Sequence, residues 1–438
     1  MDIREIAKKI EQKGGRVYLV GGAVRDEMLG IVNHDYDYSV TGLSPDEFQE
    51  IFPEAFVRGK DFAVFDIDGM EFALARKDRK IGPGHTGFDT ETDKKLTIED
   101  DLVRRDITIN AMARDVLTGE LIDPFGGRND LMHGIVRAVG EHFPEDPLRA
   151  YRVARFASQF GFSVEPGTIE MMRALRDELR ELSVERVYVE MKKALLTARP
   201  ERFFEVLKEA GILDVHFKEI YELIGALQPT NYHPEGDAFE HTMVVLKRAA
   251  FRTESLDDDR KLEVRFAALM HDLGKGATPE DEYPHHYGHE RRGEELARVF
   301  CNRIKTPTRL KKCAVTAALE HMRGGKFDDM KVTKKVTFIE KIDKTVLGLD
   351  GLQIVVDCDD MKTLIDEEGV FHYPTEDGER DLMATSNINR FDKIGREMID
   401  SVTGDDIMKK FDIEPGPKVA EILHSERVRW YREKVKTT

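Results

Sequence analysis

At 438 residues with 40% hydrophobic content, the chain exceeds one ordinary core and predicts two to four globular domains. A formal net charge of −17 argues against indiscriminate nucleic-acid binding but leaves room for a local basic surface. No apolar run approaches the roughly 20 residues that span a bilayer, residues 1–12 carry no signal-peptide core, and three cysteines lack Cys-x-x-Cys spacing, so a cytoplasmic protein with reduced thiols and no membrane partner is expected.

Residues 1 to about 140 mix short β-rich runs (17–20, 36–40, 63–67 and 72–75) with helical stretches. The first run enters Gly21-Gly22, whose bare backbone can approach a phosphate, and Arg25 lies just beyond to hold negative charge. Next comes Asn33-His34-Asp35-Tyr36-Asp37. In an extended strand, residues 35 and 37 project the same way, so two carboxylates would lie a few ångströms apart. Such a pair calls for a cation, and Mg²⁺ is the oxygen-seeking candidate. Taken alone, Asp-x-Asp and Gly-Gly also fit solvated turns. The polar stretch 77–97, with Gly82, Pro83, Gly84 and Gly87, predicts a mobile loop. Arg104-Arg105-Asp106 then precedes an apolar run, and Asp123-Pro124-Phe125-Gly126-Gly127 predicts a turn.

From Pro144 the pattern turns helical. Glu145-Asp146-Pro147 offers an acidic N-cap with proline at the first helical position, and apolar residues follow at helical spacing through Phe160. Asp146 and Arg149, three apart, would share a face. Cytosine and adenine each present an amino donor beside a ring-nitrogen acceptor, which a carboxylate and a guanidinium can match, whereas guanine and uracil present the reverse. The same residues also fit a plain N-cap and a solvated arginine face. Helices are expected over 182–196 and 201–210, and a His-containing break at 228–237 opens another helical unit. There His241, the pair His271-Asp272 ending an apolar helix, and Asp359 form a His/Asp set suited to a transition metal such as Ni, Mn, Co or Zn. His285, His286, His289 and His321 stay unassigned between phosphate contacts, support of the ligands and surface positions. Gly276 follows Lys275, so no Gly-x-x-x-x-Gly-Lys-[Ser/Thr] loop fits there. Residues 387–438 look helical and charged.

Taken in order, Gly22, Arg25, Asp35, Asp37, Arg104-Arg105-Asp106, Asp123 to Gly127, Glu145 to Arg149 and Leu182-Ser183-Val184-Glu185-Arg186-Val187 resemble the class II tRNA nucleotidyltransferases, the CCA-adding enzymes, with bacterial poly(A) polymerases as near relatives. That resemblance covers residues 16 to about 210. The His/Asp series resembles the HD domain of the multifunctional bacterial type and extends it to about 365. What it implies is an α+β chain: a polymerase-β-like nucleotidyltransferase head (1–140), an all-α neck and body (141–225), a helical HD phosphohydrolase domain (226–365) and a helical tail (366–438). By the same resemblance Asp35 and Asp37 hold Mg²⁺, with Glu71 a candidate third carboxylate. Gly22 and Arg25 meet the triphosphate, Arg105 and Asp106 the sugar region, and Asp146 with Arg149 the base, while Arg152 and Arg155 continue the ligand-facing stripe. His241, His271, Asp272 and Asp359 would hold Ni²⁺, Mn²⁺ or Co²⁺. The partners implied are tRNA, CTP and ATP, and the intact loop after Arg76 favours full CCA addition. A poly(A), CC-only or A-only relative, or an HD hydrolase with an RNA-binding head, remain as alternatives, and monomer and homodimer both stay open.

Overall fold

A computed structural model describes residues 1–32, 36–58, 64–80, 88–91, 93–231, 233–385 and 390–437. They form two compact units, Met1–Glu190 with Glu209–Ile212, and Met191–Lys208 with Leu213–Thr438.

The first unit is built on a seven-stranded mixed sheet. Its strands are β1 Arg16–Val20, β2 Asp37–Thr41, β3 Phe56–Arg58, β4 Val64–Ile67, β5 Met70–Leu74, then β8 Ala113–Asp115 and β9 Leu121–Ile122, in the order β3-β4-β5-β2-β1-β8-β9. Alternation of apolar residues sends Val17, Tyr38, Val40, Phe72 and Leu74 into one core with Phe48, Phe52 and Phe65. The helix Pro45–Ile51 carries Phe48 there; Ser44 caps it, its hydroxyl accepting from the Glu47 amide while Glu47 accepts from the Ser44 amide. The Phe48 ring lies 4.3 Å from Phe65 and 5.3 Å from Phe52. β5 returns parallel to β2, and this register sets Glu71 opposite Asp37.

Two local expectations changed. The polar stretch after Arg76 is not simply a loop: β6 Lys77–Lys80 pairs antiparallel with β7 Phe88–Glu91. A two-strand ribbon outside the main sheet needs no apolar alternation, so composition hid it. Residues 81–87, including Gly82, Pro83, Gly84 and Gly87, lie outside the described residues. The helix after Pro144 begins later than its proline signalled. Asp146 is extended (φ −117°, ψ 105°), Pro147 and Leu148 turn, and the helix runs Arg149–Phe160.

The second unit is helical. Its principal helices follow α1 Gly22–Leu29, α2 Arg149–Phe160 and α3 Val184–Leu195 in chain order: α4 Ala238–Arg252, α5 Asp258–Met270, α6 His289–Arg303, α7 Thr308–Gly325 and α8 Gly348–Asp359. Asp237 starts α4 by accepting from the Phe239 and Glu240 amides at 3.0 Å. From Leu262 to Met270 every residue of α5 is buried, which makes it the central helix of the unit. The tail is helical, and Phe391, Ile394, Met398, Val428 and Tyr431 join the same core as Val336 and Ile339. Among the described residues no helix is long and apolar enough to cross a membrane.

Phe48→Ala should cost the first unit about 3–5 kcal/mol, the usual loss for an aromatic ring removed from a closed core. Calorimetry should show one melting transition lowered and the other retained; an unchanged profile would refute the assignment of this cluster as the core of that unit.

Candidate functional site

In the first unit β1 runs into Gly21, whose φ of +69° suits glycine, and Gly22 opens α1. A Cβ at Gly21 would fall 2.6 Å from Arg105 Nη1, so the bare backbone makes room for that guanidinium. Arg25, in the first turn of α1, is buried. Its Nη1 donates to Asn110 Oδ1, its Nε donates to Asp26 at 2.8 Å, and its guanidinium lies 4.8 Å from the Phe160 ring centre. Asn110 Nδ2 in turn donates to Asp106 Oδ1 at 3.2 Å, and Arg152 reaches Asp106 Oδ2 at 2.7–2.8 Å. Arg25, Asn110, Asp106 and Arg152 are therefore one relay, buried at its first three members and partly exposed at Arg152. Burial pushes the Asp106 carboxyl up, but Arg152 and Asn110 outweigh it and hold it below its ordinary value. Arg105 stands beside the relay, 3.4 Å from Asp101 and 3.5 Å from the Asn110 carbonyl.

The remaining predicted residues sit as follows. Asp35 lies outside the described residues. Asp37 is exposed at the start of β2, and Glu71 across from it pairs with Arg58 at 3.1 Å. Asp146 is held by Arg186 at 2.9 Å, while Arg149 donates to the carbonyls of His142 and Arg104. Arg155 is occupied by Glu190 at 2.6 Å and lies 3.9 Å from the Phe156 ring centre. Arg105 Nε, Arg186 Nη1 and Glu145 Oε2 are buried with no hydrogen-bond partner. Unsatisfied buried polar atoms are costly, and a bound polar ligand is a natural partner for them.

In the second unit the ends of three helices bring His241, His271, Asp272 and Asp359 together, with one ligand atom of each within 4.8 Å of the others. His241 Nε2 lies 3.0 Å from Asp359 Oδ1 and 3.4 Å from Asp272 Oδ2. His271 Nε2 lies 3.2 Å from Asp272 Oδ2 without a hydrogen bond. Each outer nitrogen is already engaged: His241 Nδ1 with Glu235 at 2.7 Å, and His271 Nδ1 with the Ala268 carbonyl at 2.7 Å. This is the arrangement that turns Nε2 lone pairs inward toward a metal. Arg248, fully buried, donates to the carbonyls of Cys358 and Asp360 at 2.9 Å, which fixes the backbone that carries Asp359.

The electrostatics fit a donor set arranged for a cation. Burial alone lowers His271, but Asp272 and Asp359 override it and push the imidazole up to about 10. Burial raises both carboxyls, yet the facing imidazoles hold each well below the usual range. Glu235, raised by burial, is brought down to about 2 by His233 and His241. The donor set therefore fits a divalent ion of borderline softness. An open cavity of about 1150 Å³ reaches Asp272 and Asp359, with Lys275, Lys326 and Lys362 in its lining.

Sequence reasoning gave no role to Asn110, Arg186, Glu190, Glu235 or Lys275. Arg186 stood inside a quoted motif and Glu235 inside the polar break before α4, so position alone marked both.

Comparison with known proteins gives the class. Residues 17–137 match the poly A polymerase head domain, 161–223 the probable RNA and SrmB-binding site of polymerase A, and 238–347 the HD domain. Solved structures share the fold. The Thermotoga maritima CCA-adding enzyme complexed with tRNA(CCA) aligns over 98% of this chain and 90% of that one, at TM-score 0.61 and 18% identity. The Bacillus stearothermophilus CCA-adding enzyme in complex with CTP aligns over 99% and 96%, at TM-score 0.58 and 22% identity. The multifunctional CCA protein of Mannheimia succiniciproducens is 43% identical over 335 residues, 75% of this chain and 79% of its own length. That of Pasteurella multocida is 46% identical over 304 residues, 67% of this chain and 70% of its own. The chain belongs to the multifunctional CCA protein family and is a tRNA nucleotidyltransferase with a polymerase-β-like head and an HD domain.

Asp106→Asn should destabilise the first unit by about 2 kcal/mol at pH 7, less than a fully dry pair because Arg152 is one-third exposed. The carboxyl of Asp106 is depressed in the fold, so its contribution is full above the ordinary carboxylate pKa of about 4 and fades as pH falls below it. The variant should thus lose less stability than wild type between pH 5 and pH 3, as approximate bounds from the same values. Equal pH slopes in thermal melts would show that Asp106 does not carry this dependence.

Proposed function

We propose that this enzyme adds C, C and A in turn to tRNA 3′ ends from CTP and ATP without a template, and that its helical unit hydrolyses phosphoesters. One observation carries the first half: the relay of Arg25, Asn110, Asp106 and Arg152 beside Gly21-Gly22 shares its unit with buried unsatisfied atoms on Arg105, Arg186 and Glu145. A nucleoside triphosphate supplies both negative charge and a hydrogen-bonding edge for these groups.

In this reading the Gly22 backbone and Arg25 bind the triphosphate, and Arg105 with Asp106 faces the sugar region. Asp146, aimed by Arg186, accepts from the exocyclic amino group of C or A. Arg149, its guanidinium fixed by two carbonyls, donates to the ring nitrogen. Guanine and uracil would meet both groups with the wrong polarity, which a buried site penalises strongly. Arg152 and Arg155 brace this face through Asp106 and Glu190. Asp35 and Asp37, with Glu71 in register beside Asp37, would hold Mg²⁺, which supplies activation of the tRNA hydroxyl and neutralisation of the departing pyrophosphate. We divide the chain functionally into a head (1–140), neck and body (141–225), hydrolase (226–365) and tail (366–438), and place it in the cytoplasm.

For the second half, His241, His271, Asp272 and Asp359 fit Ni²⁺, Mn²⁺ or Co²⁺, which supplies activation of water when bound. Lys275, Lys326 and Lys362 line the cavity where a phosphate would sit. The substrate class this serves is 2′,3′-cyclic phosphates and phosphomonoesters.

On tRNA ending at its discriminator base, CTP alone should add two nucleotides and ATP should complete the end only afterwards; long A tails on unrelated RNA would favour the poly(A) polymerase reading. Asp37→Ala should abolish addition and leave hydrolysis intact. Asp146→Ala should erase most of the preference against U and G, an effect on the order of 10⁴ in a site built on hydrogen-bond matching. Unchanged selectivity would assign base reading elsewhere. Glu235→Gln should weaken transition-metal affinity roughly 10–100-fold by releasing His241, measurable by calorimetric titration; wild-type affinity would show that Glu235 does not orient the ligand.

A further inference from the structure

We propose that the cavity beside Asp272 and Asp359 is a nucleotide subsite, in which His285 and Tyr287 form a platform for the base and Gln228 donates to the phosphate. This deepens the phosphohydrolase reading above and rests on it for the hydrolytic step. It narrows the substrate class to phosphate esters that carry a nucleobase.

Gln228 is 5% exposed and lines the cavity together with Asp272 and Asp359. Its Oε1 accepts from Lys275 Nζ at 2.6 Å. An ammonium only donates, so this bond fixes which end of the amide is which. The Nε2 group, with two hydrogens to give, is left buried without an acceptor. A buried donor of this kind costs free energy until an acceptor reaches it, and the cavity is the open approach. An oxygen of a phosphate bound at the His/Asp cluster meets that need. Lys275 Nζ also lies 2.5 Å from Asp272 Oδ2, so one ammonium ties the amide to a carboxylate of the cluster.

A phosphate alone does not account for the space. The cavity measures about 1150 Å³, whereas sites for whole small molecules run about 300–1,000 Å³. Pro284 and His285 stand in its wall. His286 anchors this segment: its Nε2 donates to the Leu227 carbonyl at 2.9 Å, and its Nδ1 accepts from the Thr278 hydroxyl at 2.9 Å. Arg292 donates to the same hydroxyl at 2.9 Å, which turns the hydroxyl hydrogen toward His286. Leu227 precedes Gln228, so a single hydrogen bond ties the segment to the unsatisfied donor.

The residues on either side of this anchor are both aromatic. The His285 and Tyr287 rings stack with centres 5.6 Å apart and planes 29° from parallel. His285 lines the cavity, and the Tyr287 ring is left 74% exposed beside it. An exposed aromatic pair held at the wall of a polar cavity is a stacking surface. Stacking accepts any base, because every base has a π face. A phosphate near Gln228 and a base on the two rings together describe a nucleotide.

The test compares two cyclic esters on the full-length, Co²⁺-loaded protein. One is guanosine 2′,3′-cyclic phosphate; the other is glycerol 1,2-cyclic phosphate, which keeps the cyclic ester and has no base. Tyr287→Ala should raise KM for the guanosine ester roughly tenfold, keep kcat, and leave the glycerol ester unchanged. Tyr287→Phe keeps the ring and should behave as wild type. Gln228→Glu keeps an acceptor for Lys275 but replaces the donor with an anion, so KM should rise roughly tenfold or more for both esters. Co²⁺ affinity, measured by calorimetric titration, should not fall in any of the three. Equal losses on both esters in Tyr287→Ala, or none on either, overturn the platform, and a wild-type KM in Gln228→Glu overturns the donor. A second readout needs no turnover: metal-free wild type should bind guanosine 3′-monophosphate about tenfold more tightly than Tyr287→Ala does. Guanosine is used because the proposed base reading in the first unit rejects it. If wild type hydrolyses neither ester, the hydrolase reading fails and this binding difference decides the platform: present, the platform stands; absent, it falls.

Discussion

A carboxylate buried as deeply as Asp272 has to be surrounded by positive charge or by groups that can gather it. Taking an isolated anion out of water is prohibitive, and pairing rarely restores the full cost. Here four imidazole nitrogens and Lys275 converge on its two oxygens. They come from α4, the end of α5, α6 and α7, while α8 adds a second carboxylate in Asp359. The helix packing of this unit is thus arranged around one charge. The contacts that permit it are made of small residues, Gly274, Gly293 and Ala318, rather than of large interlocking side chains. Stability alone favours a well-packed apolar centre, so the retention of this cluster is a functional expense.

The first unit solves the opposite problem. Arg25, Arg105, Arg152 and Arg155 are held by Asp26, Asp101, Asp106 and Glu190, one carboxylate to each guanidinium. Burial and the Glu190 partner pull Arg155 in opposite senses, and burial wins, so its guanidinium sits below its ordinary value. Asn110 helps because its amide can accept from Arg25 and donate to Asp106 at once, which links cation to anion without adding charge. A chain of net charge −17 thereby gathers four guanidiniums in one unit, each beside a carboxylate.

The strands and principal helices were legible because burial writes itself into apolar runs whose length and spacing fit the element. Val17 to Val20, Phe72 to Leu74 and the apolar stretch of α5 each follow the pattern of the element they form. Gly21-Gly22 with Arg25, and His271-Asp272, were legible because their chemistry is local. What was not legible was pairing across long sequence separations. Nothing near Arg25 announces Asn110, and nothing near Asp146 announces Arg186; both depend on which elements the fold lays side by side. The ribbon of β6 and β7 escaped because its sequence, polar and rich in glycine between the strands, reads as a loop. The spacing of Asp146 and Arg149 was readable, but not that a turn at Pro147 and Leu148 holds Asp146 outside the helix.

The histidines show where such reading stops. His289 and His321 were visible as residues, yet 32 positions separate them, and no pattern joins them. Their convergence follows from Gly274, whose missing Cβ decides how near α6 comes to the end of α5. A glycine in a loop usually reads as a turn signal, and here its φ is not even positive. Its function is proximity. The chemically informative residue in the sequence is then the one without a side chain, because it sets which side chains can share an oxygen. The same holds at Gly21, where the absent Cβ leaves the space that Arg105 occupies. In both units a backbone position cleared of atoms determines where charge can gather, and the charge then determines what the site can bind.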